Sequence, residues 1–141
     1  MASYSDVLFG RIVLKNQLAT RSQITECLRN GVPGKSLGEV MVDQGYLSPS
    51  KAGKVQRAQA LMQFMRAERA FARIVVDRRL VDLKTLRNCF ELQEKSQHRQ
   101  RLAQILVERR LITPGQCEAI VDEQLISLSE ETARIEEEGL V

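Results

Sequence analysis

A glycine-lysine-serine triplet is the residue pattern in this sequence with the clearest potential for chemistry. Gly34-Lys35-Ser36 matches the end of a phosphate-binding loop, in which backbone amides and a lysine hold phosphate groups. A complete loop of that kind also needs a glycine where this chain has Arg29, and a strand before it. The residues before the triplet have helical spacing instead, so we interpret residues 31–36 as a linker.

The histidine and the cysteines are the other residues with metal-binding or nucleophilic side chains. His98 is the only histidine and there is no CxxC pair, so we predict no zinc site. Cys27 and Cys89 occupy equivalent places on apolar helix stripes, which predicts small buried side chains. Since no nucleophile, general base or pair of carboxylates has a recognisable spacing, we predict no catalytic residue, no enzymatic activity and no cofactor.

Composition and charge narrow the classes of partner. Of the 141 residues, 43% are apolar and 28% are charged, which is typical of a globular chain. No stretch approaches the ~18 to 20 apolar residues of a membrane span, and no secretion signal is recognisable. The three cysteines are widely spaced, which favours a reducing compartment. We therefore expect a cytoplasmic protein.

The net charge changes sign along the chain. Residues 1–129 carry 20 Lys and Arg against 13 Asp and Glu, a net charge of +7, whereas residues 130–141 carry one Arg against five Glu, a net charge of −4. The basic residues are dispersed, and only four Phe and two Tyr could stack on bases. Nucleic-acid binding through the basic body is therefore the least favoured hypothesis.

A 24-residue internal repeat is the main signal in the sequence. Four segments align without gaps, and they start at Leu8, Ser36, Ala70 and Arg101. Their second and fifth positions are apolar, the third is Gly or Ala, the thirteenth is Thr, Ser or Asp, and the last is glutamine in all but the first segment. The first segment most resembles the third, and the second and fourth share a Ser/Thr-Pro pair, which indicates duplication of a two-repeat unit. We predict three regions: an N-terminal half at 8–60, a C-terminal half at 70–128 and an acidic tail at 129–141.

Each repeat has the pattern of a helical hairpin, because apolar residues recur at helical spacing on both sides of a central turn. Capping residues mark the start of the second helix of each hairpin, at Thr20, Ser48, Asp82 and Thr113. Gly45 fits a left-handed residue at the end of the first helix. Its counterparts are not glycine, so we predict that their turns close differently; these are Gln17, Arg79 and Arg110. We expect an all-α fold of eight main helices, with four helix-turn-helix repeats in two pseudo-symmetric halves.

Two arginines occupy the same position of the two most similar repeats. Arg11 and Arg73 each follow a pair formed by phenylalanine and a small residue. An arginine kept through duplication indicates a shared contact, so both are candidate partner-binding residues. The alternative is that they are ordinary exposed or salt-bridged helix residues, which contribute little.

The acidic tail has little to anchor it. Ile135 is its one large apolar residue before the final Leu-Val pair, and glutamates near a helix C-terminus oppose the helix dipole. We expect a frayed extension of the last helix. Its charge is opposite to that of the body, so it is either a solubilising tail or a segment that folds over a basic groove and competes with an anionic ligand.

The tandem pattern R-L-G-x-x-L…G-x-[IL]-[ST]…L…Q resembles the N-terminal domain of type II secretion and type IV pilus assembly ATPases. One branch of that family binds cyclic di-GMP through two consecutive motifs of this length, with the arginine and the backbone around the Leu-Gly pair in contact with the ligand. The resemblance implies these candidate ligand-binding residues: Leu37, Gly38 and Gln59 in the second repeat, and Arg101, Leu102 and Gln124 in the fourth. The chain departs from the pattern because the fourth repeat alone keeps the arginine, and Ala103 replaces the glycine there.

The resemblance covers nearly the whole sequence given and does not include an ATPase domain. Our leading hypothesis is therefore a non-enzymatic bacterial signalling or adaptor module that binds a protein partner, such as a component of a secretion, pilus, motility or kinase-linked system. The alternative is a sensor domain for cyclic di-GMP, and the second alternative is nucleic-acid binding.

Overall fold

Helices account for all regular secondary structure in the part of the chain that the structure describes. This computed structural model describes residues 2–97 and 99–140, and His98 lies outside them. The described residues form seven helices: α1 (Tyr4–Lys15), α2 (Arg21–Arg29), α3 (Leu37–Asp43), α4 (Pro49–Asp77), α5 (Leu83–Lys95), α6 (Leu102–Glu108) and α7 (Pro114–Glu138). The predicted all-α fold is confirmed. Seven helices replace the expected eight because residues 61–69 are helical, so the second helix of the second repeat continues into the first helix of the third.

The predicted capping residues start the helices that follow the central turns. Thr20 and Gln23 form a reciprocal capping box, in which the Gln23 amide donates to Thr20 Oγ1 at 3.1 Å and the Thr20 amide donates to Gln23 Oε1 at 3.0 Å. Thr113 forms the same box with Gln116. Ser48 and Asp82 each accept one amide hydrogen bond, and the bond from the Thr85 amide lowers the pKa of the Asp82 carboxyl.

All four central turns contain a left-handed residue, so the prediction that three of them close differently from Gly45 is wrong. Gln17, Arg79 and Arg110 have φ values of 55°, 56° and 58°, beside 78° for Gly45. After each of them, the next amide donates to a carbonyl five residues earlier, as the Leu111 amide does to Leu106 at 2.9 Å. This is the Schellman closure. A left-handed non-glycine residue costs roughly 1–2 kcal/mol, and helix packing on both sides of the turn holds it there.

Glycine at these turns should stabilise the protein. We expect Gln17→Gly and Arg110→Gly each to raise the free energy of unfolding by about 0.5–1 kcal/mol, because relief of left-handed strain exceeds the added freedom of the unfolded chain. Both side chains are exposed. Urea denaturation measures the change.

Gly45→Ala is the matched control for this prediction, since a Cβ at Gly45 would meet no atom within 4 Å and the effect is purely conformational. It should lower the free energy of unfolding by a similar amount. A loss of stability in both Gln17→Gly and Arg110→Gly would contradict the strain argument.

The helices form two compact units. Unit one consists of 1–63 and 131–141, and unit two of 64–130. The main core of unit one includes Phe9, Val13, Ile24, Cys27, Leu37 and Met41, and the core of unit two includes their repeat counterparts Phe71, Val75, Leu86, Cys89, Leu102 and Leu106. Burial raises the pKa of the Cys27 and Cys89 thiols, so both side chains are small buried hydrophobic groups, as predicted.

The segment that follows the fourth repeat is helical and packed, so the prediction of a frayed extension is wrong. Helix α7 continues to Glu138, and Ile135 is only 8% exposed in a cluster with Val7 and Leu8. Leu140 packs against the main core of unit one. Glu137 and Glu138 are exposed, whereas Glu131 and Glu136 are half-buried. The helix-dipole cost of these charges is small beside the burial of Ile135.

Among the helices of the described residues, none combines the length and the apolar character that crossing a bilayer requires.

Candidate functional site

The candidate ligand residues of the second repeat meet at the first turn of α1. The Leu37 amide donates to Asp6 Oδ1 at 3.0 Å, and Gln59 Nε2 donates to the Ser5 carbonyl oxygen at 2.9 Å and to Ser5 Oγ at 3.1 Å. Gly38 faces the ring of Phe9, because a Cβ there would lie 2.8 Å from Phe9 Cζ. Leu37 and Gln59 are buried. The structure thus brings these residues together within unit one by packing, while their role in ligand binding stays a prediction.

The candidate residues of the fourth repeat have a closely similar arrangement in unit two. The Leu102 amide donates to Glu68 Oε2 at 3.2 Å, and Gln124 Nε2 donates to the Ala67 carbonyl oxygen at 2.7 Å. Arg101 is exposed and precedes α6 without a side-chain capping bond. Leu102 and Gln124 are therefore held by neighbouring residues of α4, and the Arg101 side chain is exposed beside them in sequence.

The repeated glutamine has a structural task that the sequence reasoning missed. Gln93 Nε2 donates to the Gln100 carbonyl oxygen at 3.1 Å, so glutamines at the last repeat position donate to backbone carbonyls in both units. The sequence reasoning also missed an acidic residue that lies two positions before the first repeat and two positions before the third. Asp6 and Glu68 both stand there, and this shared spacing was the signal that could have found them.

The two candidate partner-binding arginines have different surroundings. Arg11 Nε donates to the Gly139 carbonyl oxygen at 2.7 Å, and Arg11 Nη2 lies 3.6 Å from Glu138 Oε2. Arg73 is exposed. Arg11 therefore holds the end of α7 within unit one, and its counterpart in unit two faces solvent.

A cavity of about 530 Å³ opens in unit one beside the start of α3. Its lining includes Ser3, Asp6, Arg29, Lys35 and Leu37. Lys35 Nζ lies 2.6 Å from an Asp43 carboxylate oxygen, and this hydrogen bond raises the pKa of Lys35. The wall therefore carries two cationic side chains, of which Lys35 is paired with Asp43, together with the Asp6 carboxylate.

Large apolar side chains are exposed on the two longest helices. On α4, Leu61 and Met62 are each 50% exposed, and on α7, Leu125 is 60% and Ile126 is 63% exposed. Leu61 and Ile126 occupy equivalent positions, two residues after the last glutamine of the second and fourth repeats. Protein-binding surfaces combine exposed apolar side chains of this kind with a polar rim.

Metal-binding side chains do not cluster within the described ranges 2–97 and 99–140. No group of three or more His, Cys, Asp or Glu side chains in these ranges could hold a metal ion. In comparisons with protein-family models, with curated proteins and with solved structures, the chain matches none.

Proposed function

We propose that this chain is a non-enzymatic, cytoplasmic signalling or adaptor module of bacteria, which binds a protein partner through Leu125 and Ile126 of α7. The observation that carries this proposal is the exposure of these two adjacent side chains, more than half each, in the middle of a 25-residue helix. Burial of an exposed Leu or Ile contributes about 1.5–3 kcal/mol when it is complete. A partner that covers both gains that contribution.

The surroundings of Leu125 and Ile126 indicate the chemistry of the partner surface. The exposed residues next to them on α7 include Asp122, Glu130 and Glu123, and Glu123 is paired with Arg78 at 2.7 Å. An apolar groove with a basic rim would match this face in both hydropathy and charge. The resemblance described above favours a partner from a secretion, pilus, motility or kinase-linked system.

The double variant Leu125→Glu/Ile126→Glu tests the proposal. We expect capture of the partner from a bacterial lysate to be lost and the affinity of the purified pair to fall by about a hundredfold or more, because two charges would be desolvated in an apolar groove. The helical circular-dichroism spectrum and the thermal midpoint should stay unchanged, since both side chains are exposed in the native protein.

Ser127→Glu/Ser129→Glu is the matched control, because it adds the same charge at exposed positions of the same helix. It should keep partner binding within a few-fold of wild type. Equal affinity of the wild type and the Leu125→Glu/Ile126→Glu variant for the purified partner would overturn the proposal.

The cyclic di-GMP alternative is favoured by one observation, the unit-one cavity lined by Arg29, Lys35 and Leu37. Leu37 is among the residues that the resemblance implies for ligand binding. Calorimetric titration with cyclic di-GMP separates the two functions. Heat of binding that is lost in Arg29→Ala and kept in Leu125→Glu/Ile126→Glu would favour the sensor, and no heat in wild type would retire it.

A further inference from the structure

Helix α1 and residues 66–77 of α4 perform the same structural task in their respective units. Asp6 accepts a hydrogen bond from the first amide of α3, and Glu68 accepts one from the first amide of α6. The carbonyls of Ser5 and Ala67 each accept a hydrogen bond from the last glutamine of a repeat, Gln59 or Gln124. The equivalence of these two helices is therefore visible in their hydrogen bonds as well as in their sequences.

One face of α1 holds the end of α7. Val7 and Leu8 pack with Ile135, and Arg11 donates to the Gly139 carbonyl and lies near the Glu138 carboxylate. The last carbonyls of a helix have no partner within the helix and carry partial negative charge. Gly139 directly follows the last residue of α7, so Arg11 binds the carbonyl just beyond the helix end and lies near the last glutamate of that helix.

The equivalent face in unit two is basic and exposed. Arg69, Ala70 and Arg73 stand at the positions of Val7, Leu8 and Arg11. Arg69 and Arg73 are exposed and Ala70 is half-buried. Arg69 Nε donates to the Met65 carbonyl oxygen of the same helix at 3.3 Å, which leaves the terminal nitrogens of its guanidinium for a partner. This face keeps the arginine that holds a helix end in unit one, and it adds a second guanidinium in place of an apolar residue.

The apolar part of the unit-one contact is missing in unit two. Leu140 lies so close to Gly10 that a Cβ there would be 2.7 Å from Leu140 Cδ2. Unit two has Ala72 at the equivalent position, and its methyl group would fill that space. An occupant of the unit-two face would therefore be selected by charge and by its helix end, and not by an inserted leucine.

We propose that Arg69 and Arg73 bind the C-terminal end of an acidic helix from a protein partner. The guanidiniums donate to the free carbonyls of that helix end and pair with its glutamates, as Arg11 does within unit one. Arg69 and Arg73 are separate from the exposed pair Leu125 and Ile126. The surface that they form is therefore a second contact, and it does not depend on the function proposed above.

The probe for this surface is an acetylated peptide with the sequence of residues 127–141, which carries the acidic helix end that Arg11 recognises. It is titrated into the ¹⁵N-labelled full chain at low salt. We expect the largest amide shifts within 66–76, with a dissociation constant of roughly 0.1–1 mM, which weakens as salt rises. Arg73→Glu should weaken the binding by about tenfold or more.

Arg87→Glu is the matched control, because Arg87 is exposed on α5 of the same unit and the charge change is identical. It should bind the peptide within about twofold of wild type. Shifts confined to 4–14 would mean that the peptide only exchanges with the chain's own segment on α1, and would overturn the proposal. Binding that Arg73→Glu leaves intact would also overturn it.

Discussion

Removal of residues 131–141 is expected to lower the free energy of unfolding of unit one by roughly 3–5 kcal/mol. Burial of Ile135 contributes about 1.5–3 kcal/mol, and the charge-assisted hydrogen bond from Arg11 to Gly139 about 1.5–3 kcal/mol. The loss also exposes Val7 and Leu8. Urea unfolding of the chain truncated after Glu130 measures the change.

The truncation needs a control that separates packing from charge. Glu137→Ala removes an exposed carboxylate of the same segment and should change stability by less than about 0.5 kcal/mol. An unfolding transition of the truncated chain that coincides with that of wild type would show that residues 131–141 contribute nothing to unit one, against the contacts described above.

Gln93→Ala is expected to destabilise unit two by about 2–4 kcal/mol. Gln93 is 1% exposed, and its Nε2 donates to the Gln100 carbonyl oxygen. The substitution leaves that carbonyl without its partner and creates a cavity in place of a fully buried side chain, and both effects are costly. Urea denaturation of the variant gives the magnitude.

Gln93→Leu separates the two effects because it fills most of the volume while it removes the hydrogen-bonding carboxamide. We expect a smaller loss, of about 1–2 kcal/mol. Gln56→Ala is the control, since Gln56 is exposed on α4, and it should be near neutral. If Gln93→Ala were also near neutral, the glutamine would not hold the segment before α6.

The boundaries of the helices that follow the central turns could be predicted because their signals are local. Thr20 with Gln23, and Thr113 with Gln116, each form a capping box within four residues. Such bonds depend on side-chain type and spacing alone. The left-handed turns at Arg79 and Arg110 could not be read in this way, because packing of the flanking helices imposes a conformation that the residues themselves disfavour.

The packing of Ile135 was beyond local signals for a related reason. Its partners Val7 and Leu8 lie at the other end of the sequence, and Val7 falls outside the repeat that defined the N-terminal half.

The candidate site was predictable only in part. The repeat pattern identified Leu37 and Gln59. Their acceptors Asp6 and Ser5 lie before the first repeat begins, so the pattern of one repeat by itself does not reveal them.

The division of unit one into two stretches of sequence determines when it can be completed during translation. Residues 64–130 form a continuous unit, whereas residues 1–63 need residues 131–140, which leave the ribosome later. Domains generally fold as they emerge, the N-terminal one first. Here the order is reversed, because nascent Val7 and Leu8 stay without Ile135 until the second unit has been synthesised. Closing this long loop adds sequence-distant contacts, which slow folding and prolong the exposure of apolar side chains to chaperones and to aggregation.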